Sequence, residues 1–247
     1  MPTRRAVLAI LAIALSLAPL AFADAQPRPR LLFDRAHGEN EPTPPMVAAA
    51  ERAGLELAMA TAPFTAAGLA GVRVLYLRAP STAIPPDERA AIVAFVRDGG
   101  SLLLVMDENR RQDIAVVGAN DLIEPFGLRL TPDTDYLHNC GAIAKAGEIH
   151  AADREVPYSG GRAVEGGTPF AFQLDKEGKP AQPFAASKRL ERGGRIVVMG
   201  EGMASLLLGV PEGRRLTGPP RDAQNTVYWG KDSAIFMEEV LSWLARR

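Results

Sequence analysis

Ser101-Leu102-Leu103-Leu104-Val105-Met106-Asp107 decides the fold. An unbroken apolar run this short reads as a strand covered on both faces, the pattern of a parallel sheet clothed by helices. What precedes it agrees. Pro85-Pro86-Asp87-Glu88 opens a helix with acids in its first turn, where the dipole favours them. Ile92, Phe95 and Val96 form its expected buried stripe, and Gly99-Gly100 supplies the left-handed stop.

Working outward, Val72–Leu77 and Leu31–Asp34 read as further strands. Between them, Thr43 is placed to cap a helix with Pro44 at its first position. That helix runs to about Gly54 with Val47, Ala50 and Ala53 on one face, before a strand at Leu55–Ala60. Downstream come a short helix at Asp121–Phe126 and a strand near Leu128–Leu130. The stretch from Thr131 to Gln182 reads as loops and short alternating strands, the best of them Ala171–Leu174. Gly193-Gly194 turns into a last buried strand, Arg195–Met199, ending on Gly200-Glu201-Gly202. After an irregular stretch from Gly209 to Gly230, a helix from Ser233 turns Phe236, Met237, Val240, Leu241, Trp243 and Leu244 to the sheet, and Arg246 and Arg247 suit its negative end. The expectation is an α/β fold: a doubly wound, mostly parallel, flavodoxin-like sheet with helices on both faces, plus irregular insertions.

The N-terminus carries a different signal. Arg4-Arg5, the apolar run Ala6–Phe22 and the small residues around Asp24 have the layout of a secretory signal peptide. Residues 1–25 are therefore expected to be removed after Ala25, leaving 26–247 as one domain in the periplasm or outside the cell; Thr3-Arg4-Arg5 partly matches a twin-arginine signal. The run is short for a spanning helix, contains Pro19, and no second apolar span follows. The formal charge is -1, with acids and bases interspersed, so no nucleic-acid partner is expected. Cys140 is the single cysteine, which excludes an internal disulfide.

Three segments resemble a known family. They are LLFD followed by Ala36-His37-Gly38-Glu39-Asn40, the helix ending DGG before SLLLVMDENR, and GGRIVVMGEG followed by FMEEVLSWLA. Together they resemble the class I glutamine amidotransferase-like domains of gliding-motility and intraflagellar-transport proteins and of many exported bacterial proteins. The resemblance spans nearly all of 26–247 and implies an amidotransferase-like fold. True members carry a nucleophilic cysteine in the turn after the strand that SLLLVMD represents. Here that turn reads Met106-Asp107-Glu108-Asn109, with no cysteine, serine or threonine, so no activated nucleophile is expected there.

In an open α/β sheet, ligands bind beyond the carboxyl ends of the strands. That places Asp34, His37, Asp107, Glu108, Asn109 and Glu201 as candidate ligand-binding residues, joined by His138 from the reactive run Tyr136–Gly141. Singly, each acid is expected to cap a helix or bond loop amides; as a set they are expected to face a ligand. Cys140 is expected to pack rather than react. His37, His138 and His150 share no metal-binding spacing, and neither Ser159-Gly160-Gly161 nor Gly200-Glu201-Gly202 makes a phosphate cradle, so no cofactor or metal is expected. Tyr228-Trp229 can stack on a sugar or staple the following helix. The expected function is a non-catalytic binding or scaffold domain for a small molecule, a carbohydrate or a cell-envelope protein. The alternative is a hydrolase pairing Asp107 or Glu108 with His37 or His138.

Overall fold

The computed structural model describes residues 28–38, 41–133, 141–158, 160–175, 177–202, 215–217, 226–228 and 232–246. The expected signal peptide, Glu39, Asn40, the run Tyr136–Cys140 with His138, Ser159, Trp229 and Arg247 lie outside them.

The parallel half follows the sequence closely. Strands β1 (Arg30–Asp34), β2 (Glu56–Ala60), β3 (Val72–Arg78) and β4 (Ser101–Val105) alternate with helices α1 (Pro44–Arg52) and α2 (Pro86–Arg97). Two short helices follow, α3 (Ile114–Val117) and α4 (Ala119–Ile123), with a 3-10 turn at Glu124–Phe126. The remaining strands are β5 (Arg129–Asp133), β6 (Ala142–Ala144), β7 (Arg154–Val156), β8 (Arg162–Glu165), β9 (Thr168–Leu174), β10 (Pro180–Arg189), β11 (Arg195–Met199), β12 (Arg215–Thr217) and β13 (Thr226–Tyr228), before helix α5 (Ser233–Ala245).

Nine strands form one mixed sheet in the order β2-β1-β3-β4-β11-β10-β9-β6-β7. The first five are mutually parallel, and β10, β9, β6 and β7 continue the sheet antiparallel. Alternation along the strands divides the core. Leu31, Phe33, Tyr76, Leu103 and Val197 pack with α1 and α5, whereas Leu32, Leu75, Leu102, Leu104 and Val198 pack with α2, α3 and α4. All five residues of β4 and of β11 are buried, which explains their continuous apolar sequence.

Four details correct the sequence reading. Helix α1 buries Met46, Ala49 and Ala50, so its inner face is rotated from the expected Val47–Ala50–Ala53 line. Thr43 occupies the cap position but makes no side-chain cap bond, and two prolines at the first helical positions leave it fewer amides to accept from. Phe95 is only half-buried, and the α2 stripe is completed by Glu88 instead, four residues before Ile92 and eight before Val96. Strand β10 runs where the sequence suggests none, because Pro180 and Pro183 argue against an interior strand; the sheet accommodates them with register shifts on either side of Pro183. Among the described residues, no helix is long and apolar enough to cross a membrane.

Candidate functional site

At the end of β1 the chain turns sharply. Asp34 Oδ1 accepts the amides of Ala36 (2.9 Å) and His37 (3.1 Å), which curls the loop so that the His37 ring comes back over Asp34. Its Nδ1 lies 3.3 Å from Asp34 Oδ1 and its Nε2 lies 3.5 Å from Glu88 Oε1. The ring stacks on Phe64 at a centroid distance of 5.3 Å. Glu88 Oε2 in turn accepts the amide of Phe64. All three ionisable groups are almost fully buried, with 1% of Asp34, 6% of His37 and 5% of Glu88 exposed. An imidazole whose two nitrogens both face carboxylates is stabilised with both protons on. The hydrogen bond to Asp34 raises the His37 pKa above its usual value, burial opposes this, and Glu88 adds to the rise. The His37 carbonyl also accepts the amide of Ser81 (2.8 Å), so this residue joins the loops after β1, β2 and β3 to the start of α2.

The turn after β4 is organised from below by Arg162. This residue is buried at the start of β8 and donates to the carbonyl oxygens of Asp107 (2.8 Å), Gln112 (2.8 Å) and Thr131 (3.3 Å) and to Asn109 Oδ1 (3.3 Å). Asp107 Oδ1 accepts the Glu108 amide at 2.8 Å. Burial pushes the Asp107 carboxyl pKa up, against the pull of that amide and of Arg111. Glu108 pairs with Arg110 and with Arg111 (3.2 Å). Asn109 is exposed, and its amide donates to Asp133.

Glu201 follows β11, the strand beside β4, and is fully buried, with Oε2 accepting the Gly160 amide at 3.1 Å. The Gly160-Gly161 segment crosses the end of β11 so tightly that a Cβ at Gly161 would sit 2.1 Å from the Gly200 carbonyl oxygen. Glycine at 161 and at 200 is therefore a packing requirement of this crossing.

The candidate residues are thus gathered at the carboxyl ends of the strands, but in separate groups. Asp34 and His37 form one with Glu88. Asp107, Glu108 and Asn109 form a second around Arg162, and Glu201 stands on the Gly160 amide. Strand β3 lies between β1 and β4, and the first two groups share no hydrogen bond or ion pair among the described residues. His150 is elsewhere, against Phe236 of α5, with Nδ1 2.8 Å from Glu239. Burial lowers its pKa, against the opposing pull of Glu239. No group of three His, Cys, Asp or Glu among the described residues is arranged to hold a metal ion.

Sequence reasoning missed Glu88 and Arg162. Glu88 had a sufficient explanation as a first-turn acid, yet its i, i+4, i+8 spacing with Ile92 and Val96 marked it as inward-facing. Arg162 carried no local signal, because its partners come from segments some 30 to 55 residues away.

No family model and no curated protein matches the sequence. Among solved structures the chain is similar to the N-terminal domain of mmIFT52, with TM-score 0.54 and 18% identity over 70% of this chain and 87% of that one. It is similar to a cytoplasmic protein from Salmonella typhimurium, with TM-score 0.55 and 12% identity over 89% of this chain and 100% of that one. It is also similar to a protein from Thermoplasma acidophilum provisionally named as a component of GMP synthase, with TM-score 0.51 and 10% identity over 90% of this chain and 96% of that one. At these identities the likeness bears on the fold alone. It agrees, at that level, with the amidotransferase-like resemblance of the LLFD, SLLLVMD and GGRIVVMGEG segments.

Proposed function

We propose that this chain is an exported, non-catalytic binding or scaffold domain of the doubly wound, amidotransferase-like type, directed at a carbohydrate or another cell-envelope partner. One observation carries the non-catalytic reading: the carboxylates beyond the strand ends and Glu88 of α2 are already engaged, Glu108 with Arg110 and Arg111 and the others with backbone amides. Asp34 holds Ala36 and His37, Glu88 holds Phe64, Asp107 holds Glu108, and Glu201 holds Gly160. A general acid or base must itself lie within hydrogen-bond reach of the proton it transfers, and these groups are instead bonded to loops in separate clusters. The turn after β4 also offers no cysteine, serine or threonine, since Met106 and Asp107 stand where an amidotransferase-like fold would need its nucleophile. The strand order β2-β1-β3-β4-β11, with helices against both faces, supports the doubly wound reading. The basic, apolar and small-residue layout of residues 4–25 supports export.

The test is to recover the protein from the periplasm or medium and assay it with glutamine and with chromogenic glycosides and esters. Export predicts a chain starting at Gln26, and a non-catalytic domain predicts no turnover above background. A reaction that disappears in both Asp107→Asn and His37→Gln while each variant keeps its fold would establish the hydrolase alternative, whose support is the set of acids beyond the strand ends. Native mass spectrometry and a glycan array on the same material report the ligand.

A further inference from the structure

The opposite end of the sheet has a different chemistry. Where β1, β3 and β4 begin, two clefts of about 830 and 880 Å³ adjoin along the C-terminal half of α2 and share Ala94 and Asp98 in their walls. The first has an apolar floor of Leu69, Val72 and Phe95 with Arg28 and Arg30 at its rim. The second is walled by Leu190 and Val93, with Arg97, Lys188 and Arg192 around them. Across both linings stand seven basic residues and two acidic ones, in a chain whose formal charge is -1. Asp98 lies 3.6 Å from Arg192, so one of the two acids is already countered.

The side chains of Arg28, Arg30, Arg97 and Lys188 have no hydrogen-bond or ion-pair partner among the described residues. A basic residue in the last turn of a helix is expected from the dipole, and that accounts for Arg97. It does not account for Arg28 and Arg30 at the start of β1, or for Lys188 near the end of β10. Uncompensated cations concentrated on one concave surface raise the local concentration of anionic partners and speed their capture.

We infer that this amino-end face binds an acidic polysaccharide, with its carboxylates on the arginine rim and its sugar rings on the apolar floors. The combination selects this partner. A flat lipid surface or a stiff duplex would meet the basic rim and leave the recessed Leu69, Val72 and Phe95 unfilled. A flexible chain of uronic acid units can follow both clefts and use both surfaces, since guanidinium groups suit carboxylates and an aromatic ring suits a sugar face.

The experiment is calorimetric titration of the full exported protein with alginate, a polyuronate, at low and high salt, with neutral dextran as the control. The expected result is binding to alginate and not to dextran, weakened at least tenfold by 0.5 M salt, as for exposed charges within a Debye length of each other. The triple variant Arg30→Ser, Arg97→Ser, Lys188→Ser is expected to lose at least about tenfold in affinity with an unchanged melting temperature. The single reversal Arg30→Glu provides a second reading should the triple variant express poorly. Absence of alginate binding at low salt, equal binding of dextran, or affinity indifferent to both variants would overturn the inference. So would stronger binding of phosphatidylglycerol vesicles or duplex DNA through the same residues, which would assign the face to a membrane or to nucleic acid.

Discussion

At the scale of single residues, His37 shows how a loop gains a fixed shape from a few buried charges. Its position beyond β1 was legible from LLFD and the histidine after it, but its partner Glu88 was not, because it arrives from a helix some 50 residues away. The geometry makes a pH-dependent statement. The folded pKa of His37 lies above the value of about 6.5 for an unfolded histidine. A group with a raised pKa stabilises the folded state fully below the unfolded value, and that contribution is lost as pH rises through the folded value. The difference in unfolding free energy between the native protein and His37→Gln is therefore expected to be largest near pH 6, about 1.5–3 kcal/mol for hydrogen bonds to charged groups, and to shrink towards pH 9. Chemical denaturation of both proteins across that range checks it. A gap that stays constant or widens with pH would show that His37 acts by packing against Phe64 rather than by its proton. Glu88→Gln should flatten the same pH dependence while still accepting the Phe64 amide through its side-chain oxygen.

At the scale of elements, legibility followed the strength of the periodic pattern. Helix α5 buries every one of the six residues assigned to its inner face, because a 3.6-residue stripe of large apolar side chains has only one way to meet a sheet. β4 and β11 were equally clear from their continuous apolar runs. β10 was hidden by its prolines, and β6, β7 and β8 are too short for alternation to stand out. What ties β8 to the parallel half is Arg162, whose guanidinium reaches the loops after β4 and before α3 and a carbonyl of β5. Removing it leaves several carbonyl oxygens without their donor in a buried place. Arg162→Ala is expected to cost about 3 kcal/mol or more, as for loss of one side of a buried charged network. Arg162→Lys should recover little, because an ammonium group cannot supply the planar fork that serves these acceptors at once. Urea unfolding of the two variants measures this; full recovery by lysine would mean that charge alone matters at that position.

At the scale of the whole molecule, the parallel half was legible in the order of strands and helices, and the antiparallel half was legible only as a region of different texture. The two halves meet at β11, which pairs parallel with β4 and antiparallel with β10. One continuous apolar cluster also crosses that seam, joining Phe33, Tyr76 and Val197 to Ala142, Tyr158, Phe170 and Phe184 beneath α5. Shared strand and shared core together predict that the described strands of the nine-stranded sheet unfold as one cooperative unit, despite the change of pairing direction. Native-state hydrogen exchange tests this directly, since it resolves opening free energies strand by strand. Amides of Leu103, Leu104, Val197 and Val198 are expected to exchange only by global unfolding, because their strands are flanked on both sides and buried on both faces. Ala185 and Ala186 of β10 are expected to join that slowest class, as their side chains are buried and they pair with both β11 and β9. The edge strands β2 and β7 are expected to exchange faster, β2 because all its residues but Ala60 are at least partly exposed and Met59 faces solvent. Adding denaturant below the unfolding midpoint should draw the β4, β11 and β10 amides onto one common line. If β10 and β9 instead open together at a lower free energy than β4, the antiparallel half is a separate cooperative unit, and a single-domain description of the chain fails.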